Sequence, residues 1–360
     1  MTTGARPIHE PLRLAGTAEE RGRTQAFAGR ADAQAVRKAT VGQVEQARAE
    51  GLIDRAAEDF LAEQRRFHEQ HDPQSMAELR GIADGLALAE PDLFAHLHLS
   101  ALRARRRAVD GWRDGCSAWA VGDGADGPML VKNRDLSGAD FDLQRVAFHS
   151  GPDIASGTML CVGSLGSPAA YSSGQNAWGF ALADTHVAAS GARIGWLRYF
   201  LMTRLLATCR VVGDALAVIR AAPHVGGGAL ILCDASGAVA AVELGAQQVS
   251  ITTAPIVWRT NHFVASERSV EADADPIEAT SRARYAFLER CLPGRTWSAA
   301  EAAKLMAKHA GDGGVALCQH GETGGSQTLS TSIYCSRRGS LTFSHGNPCL
   351  ERWSTYRLSQ

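Results

Sequence analysis

Cys116 directly follows Gly115, and Asp135 follows nineteen residues later, at the end of the segment RDGCSAWAVGDGADGPMLVKNRD. A thiol, as its thiolate, is a strong nucleophile. The runs CSAWAV and PMLVKNRD are apolar and flank a turn-rich stretch, Gly122 to Gly127. A hairpin closed at that turn brings Cys116 and Asp135 to the same end of the strand pair. A cysteine opening a strand is also an ordinary core residue, so the pair alone does not assign chemistry. The turn itself reads GDGADG, formally Gly-x-Gly-x-x-Gly, but a dinucleotide fingerprint must open a helix and here Pro128 and a strand follow. Turn formation accounts for these residues.

Other constellations compete with this one. Cys116 could pair with His149, His186 or His262 as in a papain-like peptidase, since the order Cys, His, Asn is compatible, although no local signature of such a cysteine is present. His68 and His71 (H-x-x-H) and His96 and His98 (H-x-H) lack a cysteine or carboxylate cluster at zinc-like spacing. They read as helix-surface histidines, and no metal is expected. Arg103, Arg105, Arg106 and Arg107 form a basic cluster that a solvated helix end explains better than a nucleic-acid patch on a non-enzymatic binding module.

The elements that must position these residues follow from composition. The chain has 360 residues, 45% hydrophobic and 21% charged, with a net charge of −1. Such a chain can bury a large core, shows no apolar run long enough to span a bilayer, and carries no field that would draw in nucleic acid or an anionic membrane. A small-molecule partner is expected. The first residues, MTTGARPIHEPLRLAGTAEERG, lack an apolar secretory core, so a cytoplasmic location is expected. Eight cysteines form no Cys-x-x-Cys pair and read mostly as buried free thiols. Charge is uneven: residues 1–115 hold 17 Lys+Arg and 18 Asp+Glu, whereas residues 116–360 hold 20 of each. A charged helical first third, 1–115, is therefore followed by an apolar, Gly-rich, β-rich remainder, 116–360.

Between about Thr24 and Arg107, strong helix formers broken near Gly51, Asp72-Pro73 and Pro91 predict four helices. Ala56, Phe60, Leu61 and Phe67 form the apolar stripe of one of them, with Glu63, Arg65 and Arg66 in solvent. Beyond Gly115, CSAWAV, PMLVKNRD, RVAFHS, TMLCVG, AAYSS and AWGFALAD read as successive antiparallel strands. Helices are expected over about Trp196 to Cys209, from Asp214, over about Ile277 to Cys291 and over Ser298 to His309. ALILCDASGAVAAVEL reads as a hairpin turning at Asp234 to Gly237, and terminal strands lie near Leu329 to Cys335 and Ser340 to Ser344. Strands and helices in blocks argue for antiparallel sheets with helices outside.

Beyond DGCSAWAV and VKNRD, the chain contains GTAEERG (Gly16 to Gly22), SSGQNAWGFAL (Ser172 to Leu182), LILCDASGAVAAVE and RTNHF (Arg259 to Phe263) in that order. This ordered set resembles the acyl-coenzyme A:6-aminopenicillanic acid acyltransferase-like family, relatives of choloylglycine hydrolase within the N-terminal nucleophile (Ntn) hydrolases. The resemblance implies an α+β fold, a four-layer αββα sandwich, and a precursor that cuts itself between Gly115 and Cys116. Residues 1–115 would become a small alpha subunit and 116–360 the catalytic beta subunit, the two remaining associated. The freed α-amine of Cys116, with an ordinary pKa of about 7.7 to 8.0, would take the proton of a thiol whose pKa is about 8.5.

By the same resemblance Asp135 orients that amine, Asn261 donates to the oxyanion, and Asn176 and Arg134 line the substrate site. Choloylglycine hydrolases carry an arginine three residues before the aspartate, where this chain has Lys132. The acyltransferase members use an arginine near the C-terminal strands, where this chain has Gly325, Ser326 and Gln327, so that role has no assigned residue. The expected activity is hydrolysis of a non-peptide amide of a small molecule through a Cys116 thioester. The alternative is transfer of an acyl group between a CoA thioester or amide and a small amine. No cofactor, nucleic acid or membrane partner is expected, and a homo-oligomer is compatible with the sequence.

Overall fold

The computed structural model describes residues 8–106, 115–136, 142–188, 191–265, 276–312, 315–321 and 326–358. Two sheets stack face to face. The first has the order β1 (Leu12–Ala15), β4 (Gln144–Ser150), β5 (Thr158–Ser164), β6 (Ser173–Asn176), β7 (Ala181–Thr185), β8 (Ala229–Cys233), β9 (Val239–Leu244) and β10 (Val249–Thr253). The second runs β11 (Ile256–Arg259), β2 (Ser117–Val121), β3 (Met129–Leu136), β12 (Gln327–Cys335), β13 (Ser340–Ser344) and β14 (Trp353–Arg357). Every pairing is antiparallel except that of β1 with β4.

Period-two alternation sorts the residues into layers. Ala118, Ala120 and Leu130 of one sheet meet Val146, Leu160, Ala181, Ala183 and Ala241 of the other in a dry interlayer. The many alanines let the two sheets approach closely. The opposite faces of β2 and β3, with Trp119, Val121, Met129 and Val131, pack against α10 (Pro276–Cys291) and α11 (Ala299–Met306). The outer face of the first sheet, including Met159, Cys161, Leu182 and Leu230, lies under the remaining helices. These are α1 (Ala18–Ala28), α2 (Ala33–Ala39), α3 (Val41–Ala49), α4 (Arg55–His71), α5 (Pro73–Leu86), α6 (Glu90–Leu97), α7 (Leu99–Arg105), α8 (Arg198–Thr208) and α9 (Val212–Arg220). The architecture is the expected four-layer αββα sandwich.

The first third differs from expectation in three ways. Its described residues form seven α-helices rather than four, because the chain also breaks at Gly29–Asp32, Thr40 and His98. It is not purely helical, since β1 forms the edge of the first sheet. The buried stripe of α4 is Ala57, Phe60, Gln64 and His68, with Ala56 exposed. His68, His96 and His98 are accordingly buried rather than on the surface. Burial holds His96 and His98 down at about 4 and His68 well below the ordinary imidazole value. Gln64 satisfies His98 Nε2 at 3.2 Å and clamps both backbone groups of Gly195 at 2.8 and 3.0 Å. In the basic cluster, Arg105 covers the Phe60 ring and Arg106 pairs with Asp54, while Arg107 lies outside the described residues.

The GTAEERG segment has a mechanical role. Thr17 and Glu20 form a reciprocal capping box at the start of α1. A Cβ at Gly22 would stand 2.2 Å from Glu78 O, and one at Gly81 would stand 2.1 Å from Glu19 O, so α1 and α5 touch backbone to backbone. Among the described residues no helix is long and apolar enough to cross a membrane.

Candidate active site

The hairpin of β2 and β3 pairs Ser117 with Asn133, so the next two register steps bring Cys116 beside Arg134 and Gly115 beside Asp135. The turn at its far end is docked rather than free. Asp126 accepts from the Ala299 N–H at the start of α11, and the Ala125 N–H donates to Trp297 O. The GDGADG stretch therefore fastens the hairpin to a helix, which is turn chemistry and not a phosphate cradle.

At the near end Cys116 is buried, 3% exposed, and its Sγ receives the Asp135 N–H at 3.5 Å. The Asp135 side chain turns toward Gly115: a Cβ on Gly115 would lie 3.0 Å from Asp135 Oδ2 and 3.2 Å from Ser326 Oγ. Glycine at 115 thus permits close approach of the carboxylate to the backbone whose carbonyl precedes Cys116. Ser326 enters because β12 lies beside β3, with Thr328 opposite Asp135.

A third element, α10, delivers Arg284, which is completely buried. Its Nη1 donates to Cys116 O at 2.6 Å and to Ser117 Oγ at 2.9 Å, and its Nη2 donates to Asn261 Oδ1 at 2.9 Å. Asn261 is fixed on both sides: its N–H donates to Ser281 Oγ at 2.7 Å and its Nδ2 donates to His186 O at 2.9 Å. Because a guanidinium can only donate, Arg284 dictates which end of the Asn261 amide is oxygen. Cys116, Asp135 and Asn261 are thus tied into one constellation, with Arg284 as the tie. Sequence reasoning missed Arg284. It lies mid-helix in SRARYAF with other arginines, and the only signal was an arginine at a position that the fold buries.

The other candidates stand elsewhere. Asn176 is a structural residue: its Nδ2 donates to Leu206 O and Cys209 O at 2.9 and 2.8 Å, and its Oδ1 accepts from the Trp178 and Phe180 N–H groups. With both hydrogens and both lone pairs used, it has nothing to offer a substrate, which corrects the expectation. Arg134 spans the two sheets, donating to Gln144 Oε1 at 3.2 Å, Gly163 O at 3.1 Å and Ser164 Oγ at 2.8 Å, with its guanidinium 5.8 Å above the Tyr171 ring. Lys132 is buried in an ion pair with Asp184, which also accepts from Arg198 Nε at 2.8 Å. Burial opposes ionisation of Asp184, yet the two cations hold its carboxyl below the ordinary range. Lys132 is therefore part of the interlayer framework.

Of the histidines of a papain-like pairing, His186 accepts from Asn261 Nδ2 through its backbone carbonyl, and His149 and His262 are committed elsewhere. His149 projects from the helix-covered face of β4 toward Glu78 at 3.7 Å, and burial pushes it down to about 3. His262 rests on Ser281 Oγ at 2.8 Å and Thr260 Oγ1 at 3.2 Å. Of the position expected for an arginine near the C-terminal strands, Gly325 lies outside the described residues. Ser326 borders Gly115, and Gln327 Nε2 donates to Asn347 Oδ1 at 3.3 Å.

Two stacked, mainly antiparallel sheets between helical layers are the fold of the Ntn-hydrolase class. The chain belongs to the family described as "Acyl-coenzyme A:6-aminopenicillanic acid acyl-transferase", whose model matches residues 122–349, well over half of the chain. That match includes Asp135, Asn261 and Arg284 and begins six residues after Cys116. Membership supports enzyme status, with amide hydrolysis or acyl transfer as the family-level chemistry. Among solved structures, the chain is similar to a mutant of the conjugated bile acid hydrolase from Clostridium perfringens. Identity is 12%, TM-score 0.40, and 68% of this chain and 97% of that one are covered. It is also similar to penicillin V acylase from Agrobacterium tumefaciens, with 14% identity, TM-score 0.38, and 64% and 83% covered. No curated protein matches the chain.

Proposed function

We propose that this protein is a cysteine Ntn enzyme that matures by cutting itself between Gly115 and Cys116 and then hydrolyses a non-peptide amide of a small molecule. The observation that carries the reading is the approach of the Asp135 carboxylate to Gly115, beside a buried Cys116 thiol. In maturation Cys116 Sγ adds to the Gly115 carbonyl carbon. The tetrahedral adduct collapses with loss of the Gly115–Cys116 C–N bond, and the departing nitrogen takes a proton to become the α-amine. Water then hydrolyses the Gly115 thioester, releasing a carboxylate and the thiol.

In turnover the α-amine accepts the thiol proton as Sγ attacks the substrate amide, then returns it to the leaving amine. Asp135, adjacent to where that amine forms, holds it in place and favours its charged form. Asn261 retains one Nδ2 hydrogen beyond the one given to His186 O, and this is the donor offered to the oxyanion. Arg284 keeps it pointing that way. Period two puts Cys116 on the interlayer face with Ala118, so Arg134 and Tyr171 form the wall on which the acyl group rests.

A second reading is favoured by the family's description, which names an acyl-transferase: the same thioester passes to an amine acceptor instead of water. Denaturing gels test the shared step. Wild-type protein is expected as two fragments, the larger beginning at Cys116, and Cys116→Ala as one chain. Intact wild-type protein that is nonetheless an active amidase overturns the proposal. Hydroxylamine or a small amine competing with water for the acyl group separates transfer from hydrolysis.

A further inference from the structure

Away from Cys116, the ligand atoms of His309, Cys318, His320 and Cys349 all lie within 4.8 Å of one another. His309 Nε2 and His320 Nε2 are 3.0 Å apart, and Cys318 Sγ and Cys349 Sγ are 3.7 Å apart. His320 Nε2 stands 3.6 Å from Cys318 Sγ and 3.4 Å from Cys349 Sγ. Zinc binds thiolate at about 2.3 Å and imidazole at about 2.0 to 2.1 Å, so a tetrahedron has S–S, S–N and N–N edges of about 3.8, 3.6 and 3.3 Å. The four separations above fall within a few tenths of an ångström of these edges. Two sulfurs and two imidazole nitrogens with no carboxylate are a donor set for Zn²⁺ and unsuited to Mg²⁺ or Ca²⁺.

We propose that these four side chains form a structural Cys2His2 zinc site. Two thiolates and two neutral imidazoles around Zn²⁺ make a neutral centre, and binding releases two thiol protons. A neutral site is compatible with the partly buried surroundings of Cys318 and Cys349. All four positions are taken by protein, so the metal is structural and not part of the amide chemistry.

The surrounding residues supply the outer support such sites need. Asn347 Nδ2 reaches Cys318 Sγ at 3.4 Å and Gln319 O at 2.5 Å. The Leu317 and Cys318 N–H groups both donate to Lys308 O at 3.0 Å, which ties Cys318 to the residue before His309. Gln319 and Thr328 exchange hydrogen bonds at 2.9 and 3.0 Å. The metal would therefore pin the turn after α11, the lead into β12 and the short helical turn Pro348–Leu350 to one another. Thr328 is the residue opposite Asp135, so the centre braces the strand that backs the candidate active site.

Against this proposal stands the sequence-based expectation of no metal. It rests on the H-x-x-H and H-x-H pairs of the helical third, whereas the four ligands are separated by 8, 1 and 28 residues and form no local motif. A Cys318–Cys349 disulfide is the competing use of the two sulfurs. It would require closure from 3.7 Å to about 2.05 Å and would not account for the two imidazoles gathered beside them.

The test uses full-length protein purified without chelator. Elemental analysis is expected to give one zinc per chain, retained in Cys116→Ala and lost in Cys318→Ser/Cys349→Ser. Should that variant not fold, wild-type protein stripped by a chelator and reloaded with Co²⁺ is expected to show the strong visible bands of a tetrahedral thiolate centre. Exposed His320→Ala is expected to weaken those bands without unfolding the chain. Denatured, unreduced protein treated with chelator is expected to titrate eight thiols. Six thiols, or protein that holds no zinc and takes up no Co²⁺, overturns the assignment.

Discussion

Replacing Arg284 with lysine tests the constellation at its least anticipated member. Two guanidinium nitrogens donate to Cys116 O, Ser117 Oγ and Asn261 Oδ1. A lysine ammonium keeps the charge but cannot span all three with one compact head. Losing two charge-assisted bonds costs about 1.5–3 kcal/mol each, shared between folding stability and positioning. The part that reaches catalysis passes through Asn261, whose amide is no longer held with nitrogen toward the site. An oxyanion donor is worth about 3–4 kcal/mol, so loss of its alignment lowers kcat by roughly 10²- to 10³-fold with little change in KM. The assay is turnover of a chromogenic amide by mature protein, together with a gel time course of maturation and a circular dichroism check of folding. If Arg284 acts through Asn261, Arg284→Lys/Asn261→Ala is no slower than Asn261→Ala alone. A folded Arg284→Lys enzyme within threefold of wild type, or fully additive losses in the double variant, refutes the reasoning.

Three further substitutions probe separate terms. Gly115→Ala puts a methyl 3.0 Å from Asp135 Oδ2 and 3.2 Å from Ser326 Oγ. It is expected to slow maturation roughly tenfold or more through overpacking while changing kcat of the matured protein far less, because residue 115 is then the severed carboxyl end of the small fragment and no longer bonded to Cys116. Asp135→Asn removes the anion that favours the protonated α-amine, so the acid limb of the kcat/KM profile moves to lower pH by roughly one to three units. Movement to higher pH would contradict the assigned role. Burial raises Glu78 from 4.5 to about 7, against the opposing pull of Arg21. A raised carboxyl pKa contributes stability that is complete below pH 4.5 and lost as pH rises through about 7. Glu78→Gln should therefore flatten the fall in urea stability over that window, by about 3 kcal/mol at most. His149, lowered from 6.5 to about 3, acts in the opposite sense and loses stability as pH falls below 6.5, so the Glu78 effect is read from the difference between wild type and Glu78→Gln across the window.

How much of the site is legible in the sequence depends on how far apart in the chain the interacting residues lie. The β2–β3 hairpin is local, and its turn residues and alternating apolar runs are sufficient by themselves to locate Cys116 relative to Asp135. The β8–β9 hairpin is legible for the same reason, with Asp234 Oδ1 accepting from the Ser236 N–H inside the turn. Strands β10, β11 and β14 escape a reading of the sequence. They are short and partly exposed, so their alternation carries little contrast. Asn176 misleads because an asparagine that caps its own turn and ties down α8 looks, in sequence, like one that faces a ligand. Arg284 and the ligands around Cys318 are invisible for a different reason. Their partners lie on other elements, and only the packing of α10 and α11 against the second sheet brings them together.

The fall in charge at Gly115 reads differently once the layers are known. It does not mark a boundary between separately packed units, because one core cluster holds Ala26, Phe60 and Leu102 together with Met159, Phe200 and Val242. Ion pairs cross the same point, Arg21 to Asp153 and Arg145 to Asp32, and β1 pairs with β4. The charged first third is the outer helical layer, one face of which meets water. In the remainder, β2, β3, β7, β8 and β9 are buried along their whole length, covered on both faces. Strands covered on both sides have no solvent face on which to carry charge. Charge density therefore reports depth in the sandwich, and it changes at 115 because the chain there passes from the outermost layer to an inner one. Cys116, 3% exposed, stands at that passage.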